Sequence, residues 1–408
     1  MNSSFFMPDI LLVVLVSLSL AYAVSEIFRR FNLPRVVGQI LAGIILGFPV
    51  IKNYFFTQEA LSVFSFISNI GIILLFFFVG LEIDLKKFRK NYKKASFISL
   101  FNTLVPLSAG FFFSKFAFHF NNTTSLIIAI SLSVSSQAIS LDILEELNLL
   151  KSKIGNLIVT SGTVDDVFEL VIISILLIVF HTTLSGETNF LKIGFDILSF
   201  ILMVILFRVS LIPTVLNMFE KEKSQATLFM GALIIVLLMA YVSEVIGIGS
   251  LLGALIAGML IRQTLLTGED RRPWRRNEIS HSIHIISFGF LIPIFFVSVG
   301  LNTDIFAISS NLILVIVLIL INFIGTIGGT VIGVMMGKGT LEEGLIVGWG
   351  VSPKGDTELV IATLALNAGL INVDIFTAII TVAIVSTFVA PIVFKLSVKQ
   401  YLEINAKN

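Results

Sequence analysis

The sequence contains no cysteine and few charged residues. Only 13% of its 408 residues are Asp, Glu, Lys or Arg, whereas a soluble domain usually has about 25%. Without cysteine, disulfides and thiol chemistry are excluded, and the net charge of +1 gives no indication of nucleic-acid binding. The four histidines form no ligand-like cluster, and no nucleophile is grouped with a base. We therefore expect neither an enzyme nor a cofactor-binding protein.

Long apolar runs dominate the chain, which is 56% hydrophobic with a mean hydropathy of +1.02. A membrane-spanning helix needs about 20 mostly apolar residues. This rule predicts an all-α polytopic membrane protein with about thirteen transmembrane helices. They lie near residues 8–28, 34–53, 60–81, 95–118, 124–149, 153–180, 191–218, 225–246, 248–263, 279–302, 309–336, 341–371 and 374–397. The first seven residues contain no Lys or Arg, so we expect the first run to remain as a helix.

The distribution of basic residues supports this helix count. If the N-terminus lies outside, most of the 27 Lys and Arg residues fall in cytoplasmic segments, as the positive-inside rule requires. The outer segments then contain only Lys52, Lys115 and Lys192. One helix more or fewer would destroy this alternation. The sequence thus predicts an outside N-terminus and a cytoplasmic C-terminus.

Two motifs in the first half of the chain recur in the second half. Residues 77–84 resemble residues 296–304, and residues 40–45 resemble residues 255–260. An odd number of predicted helices separates the copies, so the second copy is predicted to be inverted. Inverted repeats are typical of secondary transporters, which hold their substrate near the membrane midplane. We predict one transmembrane unit over 1–408, with repeat 1 at about 8–180, a linker helix at about 191–218 and repeat 2 at about 225–397.

Two adjacent acids lie at the middle of the predicted helix 153–180. Ionisable groups inside a bilayer are costly and are candidates for function. The carboxylates of Asp165 and Asp166 can bind a proton or a small hard cation such as Na⁺ through oxygen. Competition between H⁺ and Na⁺ for one site suffices for exchange, provided that the site faces one side at a time. Alternatively, the pair only hydrogen-bonds the backbone of a neighbouring helix.

Polar residues also interrupt the predicted helix 341–371 at mid-membrane. Pro353 and Gly355 should break this helix, which is tolerated only beside a protein-lined or wet cavity. The repeat maps the break onto residues 135–137 of helix 124–149, so we predict that Ser135, Ser136 and Gln137 contribute to ion and proton binding. The charged residues of the break are predicted either to form an ion-paired network that holds the helix to its partner or to contact the ion. They are Lys354, Asp356 and Glu358.

Several segments resemble the cation:proton antiporter superfamily. They are residues 38–47, 69–71, 80–84 and 165–166. The chain is most similar to the branch that contains bacterial Na⁺/H⁺ exchangers and glutathione-gated K⁺ efflux antiporters. This resemblance implies two crossed broken helices in a core domain that moves against a dimerisation domain. It also implies a homodimer in the plasma membrane of a prokaryote, with Asp166 carrying both ion and proton.

The chain departs from this family pattern in two places. The first broken helix commonly reads Ser-Ser-Thr-Ala, whereas Gln137 stands here in place of Thr, which could alter ion coordination. Electrogenic members with an Asp pair commonly have a lysine in the helix equivalent to 279–302, but residues 285–301 contain neither Lys nor Arg. Because the nearby acids should keep Lys354 paired, we expect electroneutral exchange of one proton per cation.

The sequence therefore predicts a secondary antiporter that exchanges Na⁺ or Li⁺ for H⁺. The nearest alternative is K⁺/H⁺ exchange. A Na⁺-coupled symporter of an organic solute would need a larger midplane pocket. A channel would lack saturable counterflow and would not show an inverted repeat.

Overall fold

The computed structural model describes residues 8–31, 33–82, 92–150, 152–185, 190–214, 225–267 and 284–407, and within these ranges the chain is helical, with no strand. The helices are α1 (Pro8–Arg30), α2 (Arg35–Leu46), α3 (Pro49–Phe55), α4 (Gln58–Glu82), α5 (Tyr92–Phe112), α6 (Asn122–Ser133), α7 (Ala138–Glu146), α8 (Lys153–Ser185), α9 (Phe190–Leu206), α10 (Gln225–Ile246), α11 (Ser250–Thr267), α12 (Ile292–Leu301), α13 (Ile305–Ser310), α14 (Leu312–Met336), α15 (Leu341–Val351), α16 (Thr357–Asn367) and α17 (Val373–Lys407). Single π-helical turns follow α5 and α9 and precede α12.

The length and hydropathy of these helices define a multi-pass membrane protein. In the described part of the chain, eight helices are long and apolar enough to cross a membrane, or nine if α2 and α3, bent by 83°, form one span. The paired segments α6–α7 and α15–α16 are individually short. The count of thirteen spans therefore stays a prediction.

Contacts between helices divide the chain into two compact units, and each unit draws on both halves of the sequence. Unit 1 comprises Met1–Tyr22, Phe48–Ile83 and Ile173–Ser298. Unit 2 comprises Ala23–Gly47, Asp84–Ile172 and Val299–Asn408. All the predicted site residues lie in unit 2.

Glycines of the two recurring motifs make matching close contacts. In unit 1, a Cβ atom on Gly80 of α4 would lie 3.2 Å from the Cα of Gly258 on α11. In unit 2, a Cβ atom on Gly300 of α12 would lie 2.7 Å from the Cα of Gly43 on α2. Gly43 corresponds to Gly258 in the sequence motifs, and Gly80 corresponds to Gly300. The contact in unit 1 therefore joins the same two motif positions as the contact in unit 2.

An apolar cluster joins the helices of unit 2 at the end where α7 stops and α8 begins. It contains Ile98 of α5, Leu144 of α7, Ile154 and Ile158 of α8, Val334 of α14, Ile346, Val347 and Val351 of α15, and Phe394 and Val398 of α17. Two ion pairs lie at the same end, Lys153 with Glu343 and Lys395 with Glu146. Glu343 also forms a capping box with Thr340 that starts α15. These contacts fix α8, which carries Asp165 and Asp166, and α15, which leads into the break near Gly355.

Some predictions rest on residues outside the described ranges. Ile83 and Asp84, which end the first motif, are among them. So are many of the basic residues behind the predicted orientation, including those at 86–90 and 271–276. The orientation of the termini stays a prediction.

Candidate ion-binding site

The two adjacent acids of α8 lie in different surroundings. This helix runs for 33 residues, from Lys153 to Ser185. Asp165 is buried, with 1% of its surface exposed, whereas Asp166 is exposed. Successive residues of an α-helix point about 100° apart, which allows one acid to face the interior while the next faces an accessible surface. The pair is therefore divided into a buried and an accessible carboxylate.

Two interrupted helical segments meet beside α8. Residues 134–137 separate α6 from α7, and residues 352–356 separate α15 from α16. The Ser136 amide donates a hydrogen bond to the Pro353 carbonyl oxygen at 2.8 Å. A Cβ atom on Gly355 would lie 2.8 Å from the Cβ of Ser136, so a side chain there would collide with the first interruption. The sequence predicted interruptions near Ser136 and Gly355, and non-helical residues lie at both positions.

Lys354 joins the second interruption to the end of α6. Its side chain is buried, with 3% exposed, and its ammonium donates to the Leu132 carbonyl at 2.7 Å and to the Val134 carbonyl. The last carbonyls of a helix have no intrahelical partner and carry partial negative charge, so a cation there is favourable. The Thr387 hydroxyl of α17 fixes the Lys354 backbone by donating to its carbonyl at 2.9 Å.

Two glutamates, one from α8 and one from α16, accept hydrogen bonds from backbone amides at the two interruptions. Glu169 accepts from the Ser135 amide at 2.8 Å, and Glu358 accepts from the Gly355 amide at 3.0 Å. Buried amides need such partners, since leaving one unsatisfied costs about 1–3 kcal/mol. Glu169, rather than the Asp pair, thus satisfies the Ser135 amide.

Asn102 of α5 connects Asp165 to the first interruption. This residue is buried, and its Nδ2 donates to Asp165 Oδ2 at 3.3 Å and to Ser135 Oγ at 3.2 Å. The Thr330 hydroxyl of α14 lies 3.3 Å from Asn102 Oδ1. The sequence prediction missed Asn102, for which the only signal is a polar side chain within an apolar helix.

Gln137 extends from the first interruption towards the exposed acid. Its Nε2 lies 3.5 Å from Asp166 Oδ1. Its Oε1 is buried and has no hydrogen-bond partner among the described residues, and the same holds for Asp165 Oδ1 and Glu358 Oε1. These unpaired oxygens belong to the residue types that hold hard monovalent cations and protons.

Contacts and charge interactions connect most of the predicted residues to one another. Contacts link Asp165 to Ser135 through Asn102, and Asp166 to Gln137. The charges of Glu358, Glu169 and Asp165 act on Lys354. Asp356 is the residue before α16, where its charge acts on Glu358. Glu169 belongs to the cluster although it was not among the predicted binding residues.

Carboxyl groups outnumber the single lysine in this cluster, so it can accept positive charge as a proton or as a cation. Within the described residues, no three His, Cys, Asp or Glu side chains form a cage for a metal ion. A cation here would be held by few carboxylate oxygens together with neutral oxygens.

A multi-pass protein that is helical in its described ranges, with buried charges beside interrupted helices, belongs to the class of membrane transport proteins. The chain matches the model of the transmembrane sodium/hydrogen exchanger family over residues 14–400, and it belongs to that family. It is therefore a transporter.

Similar proteins cover nearly the whole chain. A Na⁺/H⁺ antiporter of Enterococcus hirae is 28% identical over 92% of this chain and 94% of its own length. The probable Na⁺/H⁺ antiporter 3 of Methanocaldococcus jannaschii is 30% identical over 94% of this chain and 95% of its own length. The structure of the sodium proton antiporter MjNhaP1 from the same archaeon has a TM-score of 0.66 at 15% identity, and the match covers 96% of each chain. That structural likeness supports the helical membrane fold.

Proposed function

We propose that this protein exchanges Na⁺ for H⁺ across the membrane at the Asp165–Asp166 pair. The main support for the proposal is that the charged residues around the pair have different roles. Glu169, Glu358 and Lys354 satisfy the backbone of both interruptions, while Asp166 remains exposed beside Gln137. The names of the relatives favour Na⁺ over K⁺ as the exchanged cation.

Exchange follows from competition for one accessible carboxylate. When Asp166 holds a proton, its charge is neutralised and Na⁺ is not attracted. When the proton leaves, the carboxylate and the neighbouring neutral oxygens hold the cation. Asp165, buried and hydrogen-bonded to Asn102, adds negative charge and orders the interruption through Ser135.

Coupled transport requires that the site faces one side of the membrane at a time. We propose that the interruptions cross as an inverted-repeat pair, and the matching contacts Gly80–Gly258 and Gly43–Gly300 support the repeat. By family resemblance, unit 2 is proposed to be the moving core and unit 1 the dimerisation domain of a homodimer. The proposed location is the plasma membrane of a prokaryote, with the N-terminus outside.

The test is proton flux in proteoliposomes that contain a pH-sensitive dye. We expect addition of Na⁺ or Li⁺ to drive proton movement in the wild-type protein. Asp166→Asn should abolish this flux, because an amide neither exchanges a proton nor supplies negative charge. Asp165→Asn should weaken the apparent cation affinity without abolishing flux.

The control is Asp374→Asn, which makes the same change at an exposed acid in the first turn of α17. It should exchange like the wild type. Wild-type exchange by the Asp166 variant would contradict the proposed mechanism. A larger response to K⁺ than to Na⁺ would favour K⁺/H⁺ exchange, and a current that needs an organic solute would indicate a symporter.

A further inference from the structure

A glycine in the middle of α8 lies against the side chain of Gln137. A Cβ atom on Gly162 would overlap all three terminal atoms of the Gln137 amide, Cδ, Oε1 and Nε2. Glycine inside a helix costs about 1 kcal/mol relative to alanine. At Gly162 the absence of a side chain allows the Gln137 amide to pack against the helix, because the amide lies where a Cβ atom would be.

Gly162 also shares a helix face with the exposed acid. It precedes Asp166 by four residues, and residues at this spacing lie one above the other on the same face. The amide that covers Gly162 therefore lies on the face of α8 that carries Asp166. This explains the approach of Gln137 Nε2 to within 3.5 Å of Asp166 Oδ1.

Capping of α7 does not explain where the Gln137 side-chain amide lies. Gln137 is the residue before α7, where short polar side chains often accept hydrogen bonds from the first turn. Its side chain makes no such bond. Its Oε1 is instead buried without a hydrogen-bond partner among the described residues. A buried amide oxygen without a donor keeps lone pairs with which it can accept a hydrogen bond or hold a cation.

We propose that Gly162 determines cation selectivity, because its missing side chain leaves the slot that holds the Gln137 amide as a neutral ligand for the cation at Asp166. This inference rests on the proposed function and specifies the ligand set of the same site. Carbonyl oxygens replace the hydration shell of monovalent cations in other transport proteins. Rotation of the amide by half a turn places Oε1, instead of Nε2, beside Asp166 when the cation arrives. The slot fixes the distance of this oxygen from Asp166, and thus which ion radius is preferred.

The experiment compares Gly162→Ala, Gln137→Ala and the double variant with the wild type. Gly328→Ala is the matched control, because this glycine lies inside α14 and no atom lies within 4 Å of the position that a Cβ would occupy. Half-saturating concentrations of Na⁺, Li⁺ and K⁺ are measured by proton flux in proteoliposomes. The thermal shift caused by each cation in detergent gives a second readout that does not depend on transport.

We expect Gly162→Ala and Gln137→Ala each to raise the half-saturating Na⁺ concentration about tenfold, as the loss of one hydrogen-bond-like ligand predicts. Both should change the Na⁺:Li⁺:K⁺ preference in the same way. The double variant should match Gln137→Ala alone, because the methyl group then has no amide to displace. Gly328→Ala should match the wild type.

Three results would overturn the inference: Gly162→Ala behaving like Gly328→Ala, additive losses in the double variant, or unchanged cation affinity in Gln137→Ala. If Gly162→Ala alone does not fold, the double variant decides, and a further loss beyond Gln137→Ala contradicts the proposal. Absence of exchange in the wild type would instead refute the proposed function. Cation-dependent thermal shifts would then still test the binding site.

Discussion

Replacing Lys354 with Met tests how the two interruptions are held together. The change keeps most of the side-chain length but removes the ammonium that donates to the Leu132 and Val134 carbonyls. Of the neighbouring charges, that of Glu358 acts most strongly on Lys354. Removing a buried charge that compensates others costs about 3–5 kcal/mol when the remaining charges have no other partner. The two hydrogen bonds, about 1.5–3 kcal/mol each, largely overlap with this value. We therefore expect Lys354→Met to destabilise the protein by about 3–5 kcal/mol.

The assay is thermal unfolding in detergent for four proteins: the wild type, Lys354→Met, Glu358→Gln and the double variant. The double variant leaves less uncompensated charge than Lys354→Met, because Glu358 is neutralised, and its glutamine can still accept the hydrogen bond from the Gly355 amide. Its unfolding midpoint should therefore lie between that of the wild type and that of Lys354→Met. Wild-type stability of Lys354→Met would refute the capping role of the ammonium. A double variant less stable than both single variants would refute the electrostatic coupling of Lys354 with Glu358.

Two further predictions concern the Asp pair. Asn102→Leu removes the donor to Asp165 and Ser135, so exchange should slow about tenfold or more, as expected for a hydrogen bond to a charged group. Asn322→Leu on α14 is its control, because that buried asparagine has no hydrogen-bond partner among the described residues and its loss should leave exchange unchanged. Exchange should be electroneutral, because Lys354 donates to the carbonyls at the end of α6 and is held in place. Proton flux that responds to an imposed membrane potential would contradict this prediction and indicate a second proton carrier.

The sequence predicts features that depend on local chemistry. Pro353 and Gly355 disfavour a continuous helix, and non-helical residues are found at 352–356. The repeat transferred this expectation to residues 135–137, although Ser135, Ser136 and Gln137 do not individually break a helix. Long apolar runs likewise predict helices close to the observed ones. Whether the interruptions cross, and how many helices span the membrane, are still predictions.

Other features of the site depend on packing between distant helices. Both acids of the pair are equally polar in the sequence, and only the rotation of α8 within unit 2 buries Asp165 and exposes Asp166. Asn102 lies outside the two recurring motifs and is linked to Asp165 by the packing of α5. Nothing in the sequence assigns a partner to Glu169, and only helix packing brings its carboxylate to 2.8 Å from the Ser135 amide.

The use of glutamate side chains to satisfy the backbone has a consequence for how this transporter can evolve. Glu169 and Glu358 each hold an amide of an interruption, so their loss damages the scaffold before it alters ion preference. Gln137 and Gly162 carry no such obligation in the described hydrogen bonds. We therefore expect natural or laboratory selection for a different cation to yield functional variants at Gln137 and Gly162. Substitutions at Glu169 and Glu358 should instead yield proteins that fold poorly.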